Sequence, residues 1–215
     1  MRNDLEVVDG RAENPPPDPD NLIPSQQARR RRIVQAALHL LEERPYEKIQ
    51  MRDVADEASV ALGTVYRYFA SKEHLFAAVL VDWSGQLGDR VKRRPLRGSN
   101  PKERLSDMMN RVLSSFERWP QFFGVVMQLQ TTSDIYAQMV YAEFAKRTTG
   151  TFREALEGLH PDDVTAVTEV INAVLDEVGR FWTLGQLSMT GARERMQRAI
   201  DLVLGPPPRM VHAPD

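Results

Sequence analysis

The stretch MRDVADEASVALGTVYRYFASKEHL, residues 51–75, decides the fold of this chain. Its apolar residues recur at helical spacing in two short segments, about 51–58 and 61–69, and Ser59-Val60 interrupts the period between them. Ser71 is a plausible N-cap for the longer helical pattern that follows. Two short helices joined by a tight turn, with a long helix on each side, predict a helix-turn-helix.

The rest of the chain also reads as helix, and no alternating strand pattern competes with it. One long pattern precedes the quoted stretch, with Ser25 as its expected N-cap and Pro45 as its stop. Later helix starts are indicated by Asn100-Pro101, Ser133, Pro161 and Thr190-Gly191, and the helix from Pro161 is expected to reach about Ser188. We therefore predict an all-α fold of about nine helices. Its parts are a disordered acidic, proline-rich arm (1–24), the helix-turn-helix unit (25–71), a larger helical part (72–205) and a flexible tail (206–215).

Charge is distributed unevenly along the 215 residues, whose net charge is −2. Residues 25–72 carry nine Lys/Arg against six Asp/Glu, a net charge of +3. Residues 1–24 carry two Arg against six acids (net −4), and residues 161–204 carry four Arg against seven acids (net −3). A basic segment between acidic ones predicts surfaces with different partners.

Composition narrows the classes of function. The chain has no cysteine, which excludes disulfides, thiolate nucleophiles and cysteine metal sites. It has neither the residue order of a signal peptide nor a long apolar run, so we expect a cytoplasmic protein without a membrane partner. Its four histidines stand in no nucleophile or metal motif. We expect no catalytic residue, metal or cofactor, and an all-α enzyme is the least favoured alternative.

Polar-tipped residues cluster in the second short helix and just after it. The second helix of a helix-turn-helix enters the major groove of DNA. Thr64, Tyr66 and Tyr68 would then donate hydrogen bonds to phosphate oxygens, and Gly63 would let the backbone approach closely. Ser71-Lys72 would add a helix N-terminus and an ammonium, which together favour an anion. The competing interpretation makes the tyrosines ordinary core aromatics.

Two further basic features belong to this interface. Residues 29–32 are four consecutive arginines, either a solvated helix face or an arm that touches the minor groove or nearby phosphates. Arg52 begins the first short helix and is a candidate for a phosphate or a base edge. The full predicted set of DNA contacts is Arg29, Arg30, Gln50, Met51, Arg52, Ala61, Leu62, Gly63, Thr64, Tyr66, Arg67, Tyr68, Ser71 and Lys72.

The quoted stretch closely resembles the DNA-binding signature of TetR-family transcriptional repressors, over about residues 28–81. It is similar in particular to actinobacterial members that control sterol and lipid breakdown. Ser59 stands where the family usually has glycine, and Gln50 and Ala61 stand where it often has Ser or Thr caps. The resemblance implies a homodimer on a palindromic double-stranded operator, controlled by a small hydrophobic effector.

The C-terminal part is interpreted through the same resemblance. A sterol-derived or long-chain acyl compound, free or as a CoA thioester, is the implied effector, and a solid core is the competing interpretation of the large apolar residues. An effector-independent DNA-binding protein is the alternative function. The predicted pocket is Met108, Met109, Val112, Phe116, Trp119, Phe123, Met127, Tyr136, Met139 and Trp182. The predicted dimer interface is Ile171, Val174, Leu175, Val178, Trp182, Met196 and Ile200.

Overall fold

A computed structural model of the chain describes residues 15–92 and 95–206, without the side chains of residues 86–92, 147 and 148. The described residues form nine α-helices and no strand, which confirms the all-α prediction. The helices are α1 (Pro24–Glu43), α2 (Met51–Glu57), α3 (Leu62–Tyr68), α4 (Lys72–Lys92), α5 (Pro101–Arg118), α6 (Pro120–Gln130), α7 (Ile135–Ala155), α8 (Pro161–Thr183) and α9 (Met189–Val203). None of these helices combines the length and hydropathy needed to cross a bilayer.

Several helix starts follow the predicted capping chemistry. The Asn100 side chain accepts a hydrogen bond from the Glu103 backbone N–H at 3.0 Å, and Pro101 occupies the first turn of α5. Ser71 Oγ accepts from the His74 backbone N–H at 2.9 Å and caps α4. Proline and two acids also open α8 at Pro161. These signals are local, so the sequence reveals them directly.

Other boundaries differ from the prediction. Helix α1 begins at Pro24, with Ser25 inside its first turn, because proline is favoured at the first helical position. Asp134, not Ser133, caps α7 by accepting from the Ala137 N–H at 2.8 Å. Helix α8 ends at Thr183 rather than Ser188, because Gly185 adopts a left-handed φ of 69° that terminates the helix.

The arm before α1 is only partly as predicted. Residues 1–14 lie outside the described residues, as do residues 207–215 of the predicted tail. Within the described part, Pro19–Asn21 forms a 3-10 turn, and the Asp18 side chain accepts from the Asp20 N–H. Leu22 is buried in the core. The disordered arm predicted for residues 1–24 is therefore wrong for its last few residues, because an apolar side chain anchors them.

The core has two centres. One joins α1–α4 to α6 and the start of α7, and the other joins α5, α8, α9 and the end of α7. Helix α4 packs along α7, so the N-terminal helices rest directly on the C-terminal ones. Aromatic rings connect α4, α5 and α6: Trp83 stacks on Phe122 at 4.4 Å, and Phe116 meets the edge of Phe123 at 5.0 Å. Each fully buried ring of this kind contributes roughly 1.5–3 kcal/mol.

Candidate nucleic-acid interface

The turn between α2 and α3 is built around a residue in an unusual conformation. Ser59 has a φ of 53°, the left-handed region that glycine usually occupies at a helix C-terminus. The Ser59 N–H donates to the Asp56 carbonyl at 3.0 Å, and the Val60 N–H donates to the Ala55 carbonyl at 2.9 Å. This pair of bonds is the Schellman arrangement, and Val60 packs on the core as its hydrophobic contact. The turn therefore holds α3 at a fixed angle to α2.

One face of α3 is open to solvent. Ala61, Gly63, Tyr66 and Arg67 are exposed, and Tyr66 is 43% accessible. A Cβ placed on Gly63 would meet no atom within 4 Å, so nothing inside the described structure requires glycine there. Thr64 is half-buried beside this face. The exposed face thus combines a phenol, a guanidinium and a bare stretch of backbone, which suits close approach to a nucleic-acid backbone.

Three predicted DNA contacts face the other way. Tyr68 is 2% exposed, and its hydroxyl has no hydrogen-bond partner among the described residues. It follows Val65 by three positions, so both side chains point from one side of α3 into the core. Met51 is 7% exposed because its side chain points from α2 into the core. Leu62 is half-buried against the core. The predictions that Tyr68 and Met51 contact DNA are wrong, and for Tyr68 the core interpretation holds.

The start of α4 brings Lys72 to the same side of the molecule as a short 3-10 turn at Tyr46–Lys48. The Lys72 Nζ donates to the Tyr46 carbonyl oxygen at 2.5 Å and lies 3.8 Å from the centre of the Tyr46 ring. Burial lowers the pKa of Lys72, although the carboxylates of Glu73, Glu47 and Asp53 act in the opposite direction. The two contacts with Tyr46 fix the position of the ammonium, and the Lys72 residue as a whole is half-buried.

Some of the remaining polar candidates lie on the surface, and others contact residues of the protein itself. Arg29, Gln50 and Arg52 are exposed. Arg30 is half-buried with its guanidinium carbon 5.0 Å from the centre of the Phe69 ring, and burial lowers its pKa. Ser71 uses its hydroxyl to cap α4. Arg30 and Ser71 therefore have structural contacts of their own.

The start of α2 is capped in a way that the sequence did not suggest. Gln50 stands where the family often has Ser or Thr, so a cap from its own side chain is weakened. Instead the Asp53 carboxylate accepts from the Gln50 backbone N–H at 2.8 Å, and the Arg44 guanidinium lies 3.4 Å from the same carboxylate oxygen. The Gln50 side chain remains on the surface, beside Arg52.

A row of rings connects this unit to α7. The Phe69 ring meets the edge of His74 at 5.3 Å, and His74 stacks on Tyr136 at 5.7 Å. His74 is buried, and its Nδ1 accepts a hydrogen bond from the Ala70 N–H at 3.2 Å. Burial, followed by the positive charge of Arg30, lowers the pKa of His74 to about 4. The end of α3 is therefore connected to α7 by a continuous row of ring contacts.

The predicted pocket residues do not converge on one place. Trp119 and Met127 pack against the N-terminal core centre, whereas Met108, Met109, Val112 and Trp182 belong to the C-terminal one. Phe123 lies against Phe116 and fills the space that a Cβ on Gly179 would need. Met139 is 65% exposed, so its assignment to a pocket is wrong. Helical spacing grouped these apolar residues on helix faces. It did not show what each face packs against.

The predicted dimer interface also needs correction. Ile171, Val178, Met196 and Ile200 are at most 1% exposed and lie in the protomer's own core, so their assignment to an interface is wrong. Val174, Leu175 and Trp182 are half-buried against the same core. The large apolar residues exposed on these helices or at their ends are instead Val170, Leu184 and Leu202. An amphipathic stripe shows that a helix is buried, but not whether its own chain or a partner buries it.

Sequence reasoning missed Tyr46 and Trp83, because both act through residues distant in sequence. Tyr46 meets Lys72 across 26 positions, and Trp83 was not assigned to the aromatic group of α5 and α6. A half-buried cation held against a buried ring is visible only in three dimensions. No local signal in either segment would have found them.

Comparisons with known proteins agree with this architecture. Residues 33–79 match the model of the bacterial regulatory proteins of the tetR family. The chain is 32% identical over 182 residues to the HTH-type transcriptional repressor KstR of Rhodococcus jostii strain RHA1, covering 84% of this chain and 85% of that protein.

Solved structures give the same fold. A TetR transcriptional regulator from Rhodococcus sp. RHA1 superposes with a TM-score of 0.74 at 27% identity, over 84% of this chain and 97% of that one. The regulator FadR of Bacillus subtilis, solved in complex with stearoyl-CoA, superposes with a TM-score of 0.61 at 21% identity, over 80% of this chain and 96% of that one. The helix-turn-helix geometry and these relationships show that the chain belongs to the TetR family of bacterial transcriptional regulators.

Proposed function

We propose that the protein is a ligand-responsive repressor that binds a palindromic operator as a homodimer and is released by a hydrophobic effector. The observation that carries the proposal is the exposed face of α3, where Gly63, Tyr66 and Arg67 are open to solvent on a helix held by a rigid turn. The relationship to the repressor KstR supports repression rather than activation.

Binding would place α3 in the major groove, N-terminal end first. Thr64 and Gly63 are then nearest the base edges, and Tyr66 and Arg67 reach the flanking phosphates. Arg29, Gln50 and Arg52 on the neighbouring helices, together with Lys72, would add contacts to the backbone. Each neutralised phosphate adds roughly 0.9 to the slope of binding against salt concentration.

A corrected dimer interface follows from the exposed apolar residues of α8 and α9. The half-buried Phe181 and the exposed Leu184, which caps the end of α8, follow Val170 by 11 and 14 positions, so the three lie on the same side of this helix. Arg195 of α9 lies over the Phe181 ring at 5.7 Å, and Leu202 follows Arg195 by two helical turns. This face, Val170–Phe181–Leu184 with Leu202, would pair with its symmetry mate and hold two α3 helices about one DNA turn, ~34 Å, apart.

The effector would act through α5 and α6, the helices that lie between α4 and α7 in the chain. The neighbour FadR binds stearoyl-CoA in its solved complex. The sequence resemblance points to sterol-derived or long-chain acyl compounds, free or as CoA thioesters. Helix α4 carries both Lys72 at its start and Trp83 within the aromatic group, so a ligand that displaces Trp83 would move the DNA-binding end. An effector lowers operator affinity only by its differential affinity for the two states.

The test has two arms. Fragments of the source genome that bind the protein are first selected in vitro, and the enriched duplex is used to measure affinity. Acyl-CoA and sterol-derived CoA thioesters are then titrated into the complex. We expect one class to release the duplex and to change Trp fluorescence. Failure of every class to release the DNA would favour the effector-independent alternative, and failure to enrich any duplex would contradict the proposed function.

A further inference from the structure

The Lys72 ammonium is fixed by one residue, Tyr46, in two ways. Its Nζ donates to the Tyr46 carbonyl oxygen at 2.5 Å and lies 3.8 Å from the centre of the Tyr46 ring. An ammonium has three N–H donors, so these contacts leave donors for another acceptor. Lys72 is half-buried and stands in the first turn of α4, where the backbone N–H groups also favour an anion.

Tyr46 is itself held rigidly. It is 6% exposed, and its ring meets the edge of Phe76 at 5.0 Å with the planes at 84°. Its hydroxyl donates to Glu73 Oε1 at 3.3 Å. The residue follows Pro45, whose ring restricts the backbone just before the 3-10 turn. A cation resting on this ring therefore loses little further freedom when a phosphate oxygen binds it.

We propose that Tyr46 is a positioning residue for DNA binding, which holds the Lys72 ammonium where a backbone phosphate oxygen is bound. The inference rests on the proposed function for Lys72 and adds to it a residue that cannot itself contact DNA. The aromatic ring of Tyr46 holds the Lys72 ammonium in place, since its negative face attracts the cation. The hydroxyl anchors the ring and is not required for the attraction.

A double-mutant cycle tests this inference on the full chain. Tyr46→Phe keeps the ring, Tyr46→Met keeps apolar volume without a ring, and Lys72→Met removes the charge. Each Tyr46 variant is also combined with Lys72→Met, and all are measured on a mixed-sequence duplex, because phosphate contacts do not depend on sequence. Thermal unfolding reports the fold of each variant. Proton chemical shifts of the Lys72 side chain report the ring current of Tyr46 without any DNA.

We expect Lys72→Met and Tyr46→Met each to weaken DNA binding severalfold and to reduce the salt slope by about 0.9. Tyr46→Met should have no further effect once Lys72 is replaced, and Tyr46→Phe should retain most of the affinity and the upfield shift of the Lys72 protons.

Two results would overturn this inference and leave the proposed function intact. In the first, Tyr46→Met lowers DNA affinity equally with and without Lys72, which indicates a structural role. In the second, Tyr46→Met leaves DNA affinity unchanged while Lys72→Met lowers it. If Lys72→Met leaves affinity unchanged, the phosphate contact of the proposed function fails as well.

Discussion

The two tyrosines of α3 are chemically identical and two positions apart, yet the helix gives them opposite surroundings. Tyr66 is 43% exposed, whereas Tyr68 is 2% exposed and its hydroxyl lacks a partner among the described residues. A buried hydroxyl without a hydrogen bond costs about 1–3 kcal/mol. The same substitution at the two positions should therefore have different consequences.

Tyr66→Phe should weaken operator binding severalfold with an unchanged melting temperature, because it removes only a phosphate donor. Tyr68→Phe should leave operator binding unchanged and raise the free energy of unfolding by about 1 kcal/mol. Fluorescence anisotropy with labelled duplex and chemical denaturation measure the two effects. The reverse pattern, with Tyr68→Phe weakening binding and Tyr66→Phe silent, would show that the assignment of the two faces is incorrect.

Stability should also depend on the protonation of His74. Its pKa in the folded protein is lowered to about 4, with burial as the main cause and the Arg30 charge as the second, while Asp134 opposes them. Because protons bind the unfolded chain more tightly, the stability that neutral His74 provides is present above pH 6.5 and is lost as the pH falls to 4. The expected loss of unfolding free energy is on the order of 3 kcal/mol.

His74→Gln is the matched variant for this measurement, since glutamine does not titrate and its amide oxygen can still accept from the Ala70 N–H. Denaturation of both proteins between pH 4 and pH 7 should show a smaller decline for the variant. His39 should behave in the opposite way. Glu57 and then Glu43 raise its pKa, so its contribution to stability declines as the pH rises. Identical pH profiles for wild type and His74→Gln would rule out the role of His74.

The α2–α3 turn contains one residue, Ser59, in an energetically unfavourable backbone conformation. Ser59 occupies a left-handed conformation that L side chains rarely adopt, and the two Schellman hydrogen bonds keep it there. Ser59→Gly should raise the free energy of unfolding by about 1 kcal/mol or less without changing operator affinity. Ser59→Val should lower stability by more than that amount, because a β-branched residue fits this region worst. A destabilised glycine variant would contradict the account of the turn.

Sequence alone predicted most of the elements, but it assigned side chains to surface or core only in part. Signals carried by adjacent residues, such as Asn100-Pro101 or Ser71, indicated helix starts correctly. The end of α8 was placed too late, at about Ser188, because the sequence does not show that Gly185 adopts the left-handed conformation that ends the helix. Tyr68 and Ile171 were misplaced because periodicity identifies an apolar face but not what covers it.

The proposed homodimer should depend on the small exposed apolar face of α8 and α9. Leu202 on α9 and Met139 on α7 are both 65% exposed, so replacing either should leave the protomer folded. Leu202→Glu should shift the protein from dimer to monomer and weaken operator binding by tenfold or more, since a charge would be buried between copies. Met139→Glu should leave both properties unchanged. Sedimentation velocity distinguishes the outcomes, and a stable Leu202→Glu dimer would exclude this face as the interface.

Amide hydrogen exchange with and without the selected operator duplex tests most directly whether the outer face of α3 binds DNA. We expect the duplex to slow exchange in peptides covering residues 61–68, 50–53 and 29–32, and to leave α8 and α9 unchanged. A bound complex in which residues 61–68 exchange as fast as in the free protein would contradict the central claim.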